Sequence, residues 1–513
     1  MRYFLLLFVL IIGINVSAQR RNTLKIIHAN KLKSATFNGK KGQKLIGDVA
    51  FKHGKTLMYC DSAFSYKGKN TIDAYGNVHI IDKDSVDIYS NVLFYNGNTK
   101  LAKLRGNVLM KDKKMTLRTE KLNYYMKTKS AFYFDGGVIV DKENTLTSDI
   151  GNYFSKQKIF YFKKKVVLIN PDYVMNSDTL IYSTNSETAF FRGPSTIVSD
   201  ENSIYCEKGW YNTKTDISIF QKNTFLKNKT QELGADSLYY DRNIGFGRAL
   251  KNVVLFDSVK NIIIKGQYAE YLEKGGSSFF TDSAIAIMIN ESKDSLYIHG
   301  DTLRLDFDTN KVAEYFYAYN KVKFYKEDIQ GKCDSLVYSL SDSVLYLNGR
   351  PLIWSDNSQM SGKKIRALVK NGSVNRLYVD TNAFVIQHDT LEYYNQVSGR
   401  NVIAYFKNDA IDYVKVLGNA QTIYFVKEED NSLVGVNLAS SSNMRVLFNS
   451  KGISNIIYLS KPKASLNPIK KVSKRALFLR GFKYYDYWRP QNKNEIFYWE
   501  PEKVKETTKL QNK

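Results

Sequence analysis

The chain has 513 residues and a formal net charge of +25, with 75 Lys and Arg against 50 Asp and Glu. Its 37 Tyr and 29 Phe stand beside only 7 Pro and 3 Cys, a balance that suits short aromatic strands and excludes a disulfide-built scaffold. Length alone would allow about three ordinary domains, although a repeat array of this size can form one quasi-linear body.

Residues 1–18 carry Arg2, an apolar run from Tyr3 to Ile14 and the small-residue site Val16-Ser17-Ala18. This is the pattern of a cleavable secretory signal peptide, and the run is shorter than the ~20 residues a membrane helix needs. No Cys follows the site for lipid attachment, so export to an extracytoplasmic compartment is expected. Residues 19–40 read as a lead-in.

From residue 41 a module recurs. With Asp61 as phase marker, the equivalent positions are Ser90, Glu120, Asp149, Asp178, Glu207 and Asp236, in steps of 29 or 30 residues. Beyond them the marker continues less regularly through Gln267, Asp301, Asp334 and Lys364. Half a period after each marker comes a Gly landmark, as at Gly76-Asn77, Gly106-Asn107 and Gly136-Gly137. Alternating apolar residues, as in Leu180/Tyr182 and Leu238/Tyr240, give strand periodicity with one buried face. The prediction is an all-β, elongated stack of about a dozen units of ~30 residues, regular over 41–260 and less regular over 261–460.

Cys60, Cys206 and Cys333 each precede a marker in widely separated repeats. At roughly 4.8 Å or more per rung they cannot meet, which predicts three free, buried thiols. No metal-spaced His or Cys pair, nucleophile elbow or phosphate loop occurs, so no cofactor, metal or catalytic set is expected. Asp61, Asp149, Asp178, Asp236, Asp301 and Asp334, with Gly76, Gly106 and Gly136, read as turn markers: short polar side chains before a strand bond local backbone. A polysaccharide-cleaving β-solenoid would instead use those aspartates on one stacked face.

The signal peptide, the Asp-Ser/Thr-apolar-x-Tyr unit (as at Asp178-Thr179-Leu180-Ile181-Tyr182) and the Gly-Asn-Val unit at half-period together resemble the OstA/LptA family over about residues 40–460. That resemblance implies a semi-closed, twisted β-jellyroll with an apolar groove holding acyl chains of lipopolysaccharide or its lipid A, periplasmic and outer-membrane-associated. It implies other jellyroll proteins as partners, joined by strand-edge pairing, and a possible outer-membrane barrel partner. Groove-lining candidates are Phe64, Tyr66, Phe132, Phe134, Val138, Val140, Leu180, Tyr182, Leu238 and Tyr240; the same residues would serve a closed core. The basic excess suits anionic lipid or glycan, and no nucleic-acid motif is present. A binding or cleaving β-solenoid acting on polysaccharide, or a structural envelope scaffold, remains the alternative.

From residue 461 to 513 the composition shifts to 14 Lys and Arg against 5 Asp and Glu, with Trp488 and Trp499 among many aromatics. This segment reads either as a membrane-headgroup surface or as a capping strand pair with a solvated tail.

Overall fold

The computed structural model describes residues 23–500, apart from 67, 84–85, 114, 142, 290–294, 371–372, 391, 409, 429–431 and 450–451. The signal peptide, residues 1–18, lies outside the described residues. The chain divides into two compact units, Met1–Arg192 and Gly193–Lys513.

In the first unit each ~29-residue period is one antiparallel hairpin. Strand Thr56–Tyr66 pairs with Thr71–Asp82, which pairs with Val86–Asn96, and so on through Leu101–Lys111 and Thr116–Tyr125. Every strand is interrupted near its middle by a register shift, such as that between Tyr75 and Val78. Two residues there take left-handed backbone: Gly76 with φ 75° and Asn77 with φ 44°. Such a bulge bends its strand and lets one strand serve two sheet layers. The bend completes itself where Ser130–Tyr133 and Gly137–Asp141 stand as separate strands, the first pairing with Leu122–Tyr125 and the second with Thr116–Thr119.

The bulge therefore defines a corner with two arms. Arm A runs through the register Ala63, Ala74, Leu93, Leu104, Leu122. Arm B runs through Met58, Ile80, Ile88, Met110, Leu117. All ten side chains are buried, so both rows face the same interior. The second unit repeats the plan, with split strands Ser277–Thr281 and Ile285–Ile289, then Val344–Asn348 and Leu352–Ser355. The result is an all-β jellyroll of stacked hairpins.

The left-handed pair recurs at Gly106-Asn107, Lys164-Lys165, Lys222-Asn223, Lys251-Asn252, Gly349-Arg350 and Gly418-Asn419. At Lys and Asn this conformation is strained, costing roughly 1–2 kcal/mol per residue, so only the corner's geometry can be holding it. The marker carboxylates supply part of that hold. Asp61 accepts a hydrogen bond from Asn77 Nδ2 at 2.9 Å, Glu207 from Asn223 Nδ2 at 2.7 Å, and Asp236 from Asn252 Nδ2 at 3.2 Å. At Gly76 an added Cβ would stand 2.3 Å from Asp61 Oδ2, and at Gly349 the same distance from Asp334 Oδ2. One marker assignment needs correcting. Ser90 is buried with its hydroxyl on Val92 O, and Asn91 is the residue set against Gly106. The first step is therefore 30 residues, and those that follow are 29.

Candidate functional site

The interior between the arms is the candidate site, and it differs along the chain. In the first unit it is filled. Phe160, Phe162, Val166, Met175 and Leu180 are all buried, and the free ends of the two arms touch across the mouth. Tyr124, at the end of arm A, donates to Asp82, at the end of arm B, at 2.6 Å; Thr56 donates to the same carboxylate at 3.1 Å, and Lys129 forms an ion pair with it. One repeat on, Tyr153 and Lys158 do the same to Asp112, the lysine at 2.8 Å. Tyr95 and His53 meet one repeat earlier. A polar seam thus spans three repeats, Tyr with Asp and Lys in two of them and Tyr with His in the third. Burial by itself would raise the Asp112 carboxyl, but the hydrogen bonds from Lys158 and Tyr153 outweigh it and hold the group below its usual range.

Tyr95, Tyr124, Tyr153, Tyr182, Tyr211 and Tyr240 follow one another at intervals of 29 residues. This inward ladder is legible in the sequence once the phase is set by the buried small residues Ser90, Thr119, Ser148, Ser177 and Cys206.

In the second unit the same inward positions are looser between Ser203 and Asp257. Arm B carries the row Ile204, Leu226, Leu233, Leu255, every member of it partly exposed. Arm A carries Ser218, Tyr240, Gly247 and Tyr271 in register, so large rings alternate with small residues. Phe220, Leu238, Ala249 and Val253 are buried beneath. The arrangement is an apolar trough with a buried floor and half-exposed walls.

The ten groove candidates divide by face. Leu180, Tyr182, Leu238 and Tyr240 point inward, paired with the inward residues Phe162, Phe160, Phe220 and Ser218. Phe64 and Tyr66 are buried but lie on the opposite face: Phe64 pairs with Lys44 and Asp73, while the inward Ala63 pairs with Leu45 and Ala74. Phe64 packs there on Phe37 at 5.4 Å. Phe132, Phe134, Val138 and Val140 also face outward, the last three 42%, 37% and 42% exposed. Tyr133 and Ile139 take the inward places in that stretch. The physical reason for these corrections is the corner bulge, whose extra residue reverses which of two alternating aromatics faces in.

Cys60, Cys206 and Cys333 are free and buried, as predicted. Burial pushes the Cys60 thiol up to about 12 and Cys206 to about 11. The marker aspartates stand at the corners, one to a hairpin: Asp149 N donates to Lys164 O, Asp301 N to Asn320 O, Asp334 N to Gly349 O, and Asp178 accepts from Thr179 Oγ1. One outer cleft of about 700 Å³ does gather Glu120, Asp135 and Asp149 near Arg118 and Lys165. Two of its carboxylates are engaged, Asp135 with Lys121 at 2.7 Å and Glu120 with Asn107 N at 3.3 Å.

The described part of the C-terminal segment, residues 461–500, is mostly exposed but is held against the second unit along its length. After the last strand, Lys463–Asn467, it runs as short 3-10 turns back across the outer face of arm B. Three buried glutamines clamp its backbone or its arginine. Gln396 donates to Leu477 O at 2.8 Å and accepts from Leu479 N at 2.8 Å; Gln359 donates to Lys483 O at 2.9 Å and accepts from Tyr485 N at 2.6 Å. Gln330 accepts from Arg489 Nε at 2.8 Å. Leu477 and Leu479 pack on Ile423, Phe425 and Val436. Trp488 and Trp499, packed edge to face, flank Lys332 with ring centres 3.5 and 4.0 Å from its ammonium, and burial lowers that lysine to about 8.

Two stretches of the chain match families of known proteins. The family described as OstA-like protein matches residues 21–178 and 175–236. The family described as LptA/(LptD N-terminal domain) LPS transport protein matches residues 264–373. Among solved structures, LptH from Pseudomonas aeruginosa, the LptA homologous periplasmic component of the lipopolysaccharide transport device, aligns at 16% identity over 23% of this chain and 82% of its own, with a TM-score of 0.20. No curated protein sequence matches the chain. With the two family matches lying in succession along its repeated hairpins, the chain belongs to the OstA/LptA-like family of lipopolysaccharide-transport proteins.

Proposed function

We propose that the chain is a non-enzymatic, periplasmic lipid-holding and bridging protein of lipopolysaccharide transport, exported by the signal peptide at residues 1–18. The observation that carries this reading is the trough of the second unit, where Leu226, Leu233, Leu255 and Tyr240 stay partly exposed above a buried apolar floor. An acyl chain laid there would complete the burial, at ~0.8 kcal/mol per methylene. Holding is passive on this account, and direction of transport comes from partners. Edge strands support a bridging role. Lys31–Phe37 pairs on one side with Lys40–Ile46 and is exposed along its length, and among the described residues nothing pairs with its other side. An open edge of this kind can accept a strand from another jellyroll or from a barrel protein's soluble module.

Mass spectrometry of lipid co-purified with the mature protein from its native envelope tests the reading, alongside a Leu233→Asp/Leu255→Asp variant. Acylated glycolipid retained by the parent and lost by the variant, with an unchanged melting curve, is the expected result. Recovery of an empty parent, or of glycan without acyl chains, overturns it.

A further inference from the structure

Over the later strands of the second unit the tail lies on the outer face of arm B, and among the described residues its hydrogen bonds and packing do not reach the outer face of arm A there. Five neighbouring strands, from Lys364–Lys370 to Leu433–Asn449, present three outward rows there. The first row is Arg366, Tyr378, Ile403, Lys415, Arg445 in register. The second sets Arg376 beside Tyr405 and Tyr413. The third contains Lys364 and Asp380, followed by Asn401 and Asn443, and the exposed Asp412 stands beside Tyr413 at the end of the second.

We infer that this face is a binding surface for an anionic glycan, a sugar chain carrying carboxylate or phosphate groups. The cations are held by rings rather than by carboxylates. Arg366 lies 4.3 Å over Tyr378, Arg376 5.2 Å over Tyr405, and Arg445 5.5 Å over Tyr413, while Lys415 lies over both Tyr405 and Tyr413. Tyr405 and Tyr413 stack at 4.2 Å, which fixes the rings on which the charges rest. Among the described residues no carboxylate forms a salt bridge with any of the five cations, and Arg366 Nε is buried without a hydrogen-bond partner. Arg376 also hydrogen-bonds Tyr378, but a guanidinium has five donors, so groups held by rings rather than by carboxylates have donors to spare for an incoming anion.

The rows also suit a sugar chain in particular. Asn401 Oδ1 already accepts from Thr381 N and Asn443 Oδ1 from Gly418 N, so their amide NH2 groups remain as donors to hydroxyl oxygens. Strands spaced about 4.8 Å apart repeat the cation and amide positions across the face, as an extended polymer with regularly placed acidic groups requires. The inference does not depend on lipid occupying the trough, which is built from other strands, those between Ser203 and Asp257.

Affinity electrophoresis of the full mature chain in gels containing polygalacturonate, against neutral dextran, reads this surface directly. Retardation by polygalacturonate alone is expected. An Arg366→Gln/Arg376→Gln/Arg445→Gln triple variant should weaken it at least about tenfold, the loss of three charge-assisted contacts. Lys163→Gln/Lys164→Gln/Lys165→Gln removes the same charge elsewhere and should leave binding nearly unchanged. Tyr405→Leu/Tyr413→Leu, which alters no charge, should also weaken binding, with the melting curve of each variant confirming its fold. Equal loss in both charge triples would reduce the effect to net charge and overturn the inference. So would retention of glycan binding by the arginine triple while its binding to phosphatidylglycerol vesicles is lost, since that outcome assigns the face to a membrane.

Discussion

The first unit and the Ser203–Asp257 stretch of the second are built from the same hairpin, yet one interior is filled and the other is a trough. Both have corner bulges, an inward tyrosine every 29 residues and small residues beside the corner. They differ at the mouth. In the first unit Asp82 and Asp112 sit at the ends of arm B where Tyr124 and Tyr153 can reach them, and the arms are drawn together. In the second, Tyr240 donates to Glu273 at 3.2 Å, a residue of the turn at the end of its own arm. The position of one carboxylate, on the opposite arm or on the same one, decides whether the tyrosine closes the groove or lines it.

The largest test of this comparison removes the strap. Ending the chain after Asn467 would bare Trp354, Ile386 and Phe425 on arm B, and burial of three such side chains is worth roughly 5 kcal/mol. Urea unfolding followed by limited proteolysis should show the second unit destabilised by that order and the first unit unchanged. Equal loss in both units would mean that the units are not independently stabilised.

Cavity substitutions come next. Phe162→Ala, in the filled interior, should cost about 3–5 kcal/mol. Leu255→Ala, in the trough, should cost under about 1.5 kcal/mol because the side chain is already partly in water. Chemical denaturation of the two variants measures the contrast, and similar costs would mean the trough is closed in solution.

Acid and base should affect the two units in opposite senses. Asp112 has a folded-state pKa below its unfolded value, so its contribution is present above about pH 4 and disappears as pH falls through the folded value. Asp112→Asn should flatten that acid limb. Lys323 and Lys332 are both lowered to about 8, by burial first. Between about pH 8 and 10 the unfolded chain binds more protons, so the strapped unit should gain stability as pH rises, and Lys332→Met should remove much of the gain. Differential scanning calorimetry across pH reads both limbs.

The smallest effect belongs to what the regions share. Lys164→Gly in the first unit and Lys251→Gly in the second relieve left-handed strain at equivalent corners, where φ is 65° and 61°. Each should stabilise by about 1 kcal/mol or less, and by the same amount. Unequal gains would place part of the difference between the regions at the corner rather than at the mouth.

Periodicity alone determined much of this protein. A marker every 29 or 30 residues and a landmark at half-period required stacked two-strand units, and both turned out to be the same structure seen from adjacent strands, since Asp61 reaches Asn77 across the corner. Free, buried cysteines followed from rung spacing. What sequence could not decide is which way each alternating side chain points after the corner. A bulge inserts one residue and shifts a period-two pattern by half a cycle, so Phe64 and Ser65, or Phe132 and Tyr133, exchange faces without any change of composition. Contacts spanning 41 or 42 residues, such as Tyr153 to Asp112 and Tyr124 to Asp82, were equally hidden, because they join different repeats and depend on how far apart the arms stand. The fate of the tail was decided by three glutamines, Gln330, Gln359 and Gln396, outward on arm B. In sequence they are ordinary polar strand residues; only the tail laid over them, by its backbone at Gln359 and Gln396 and by Arg489 at Gln330, shows what they bind. Local repetition is written in the order of residues, whereas closure, facing and docking are distances between parts of the chain that only the folded structure sets.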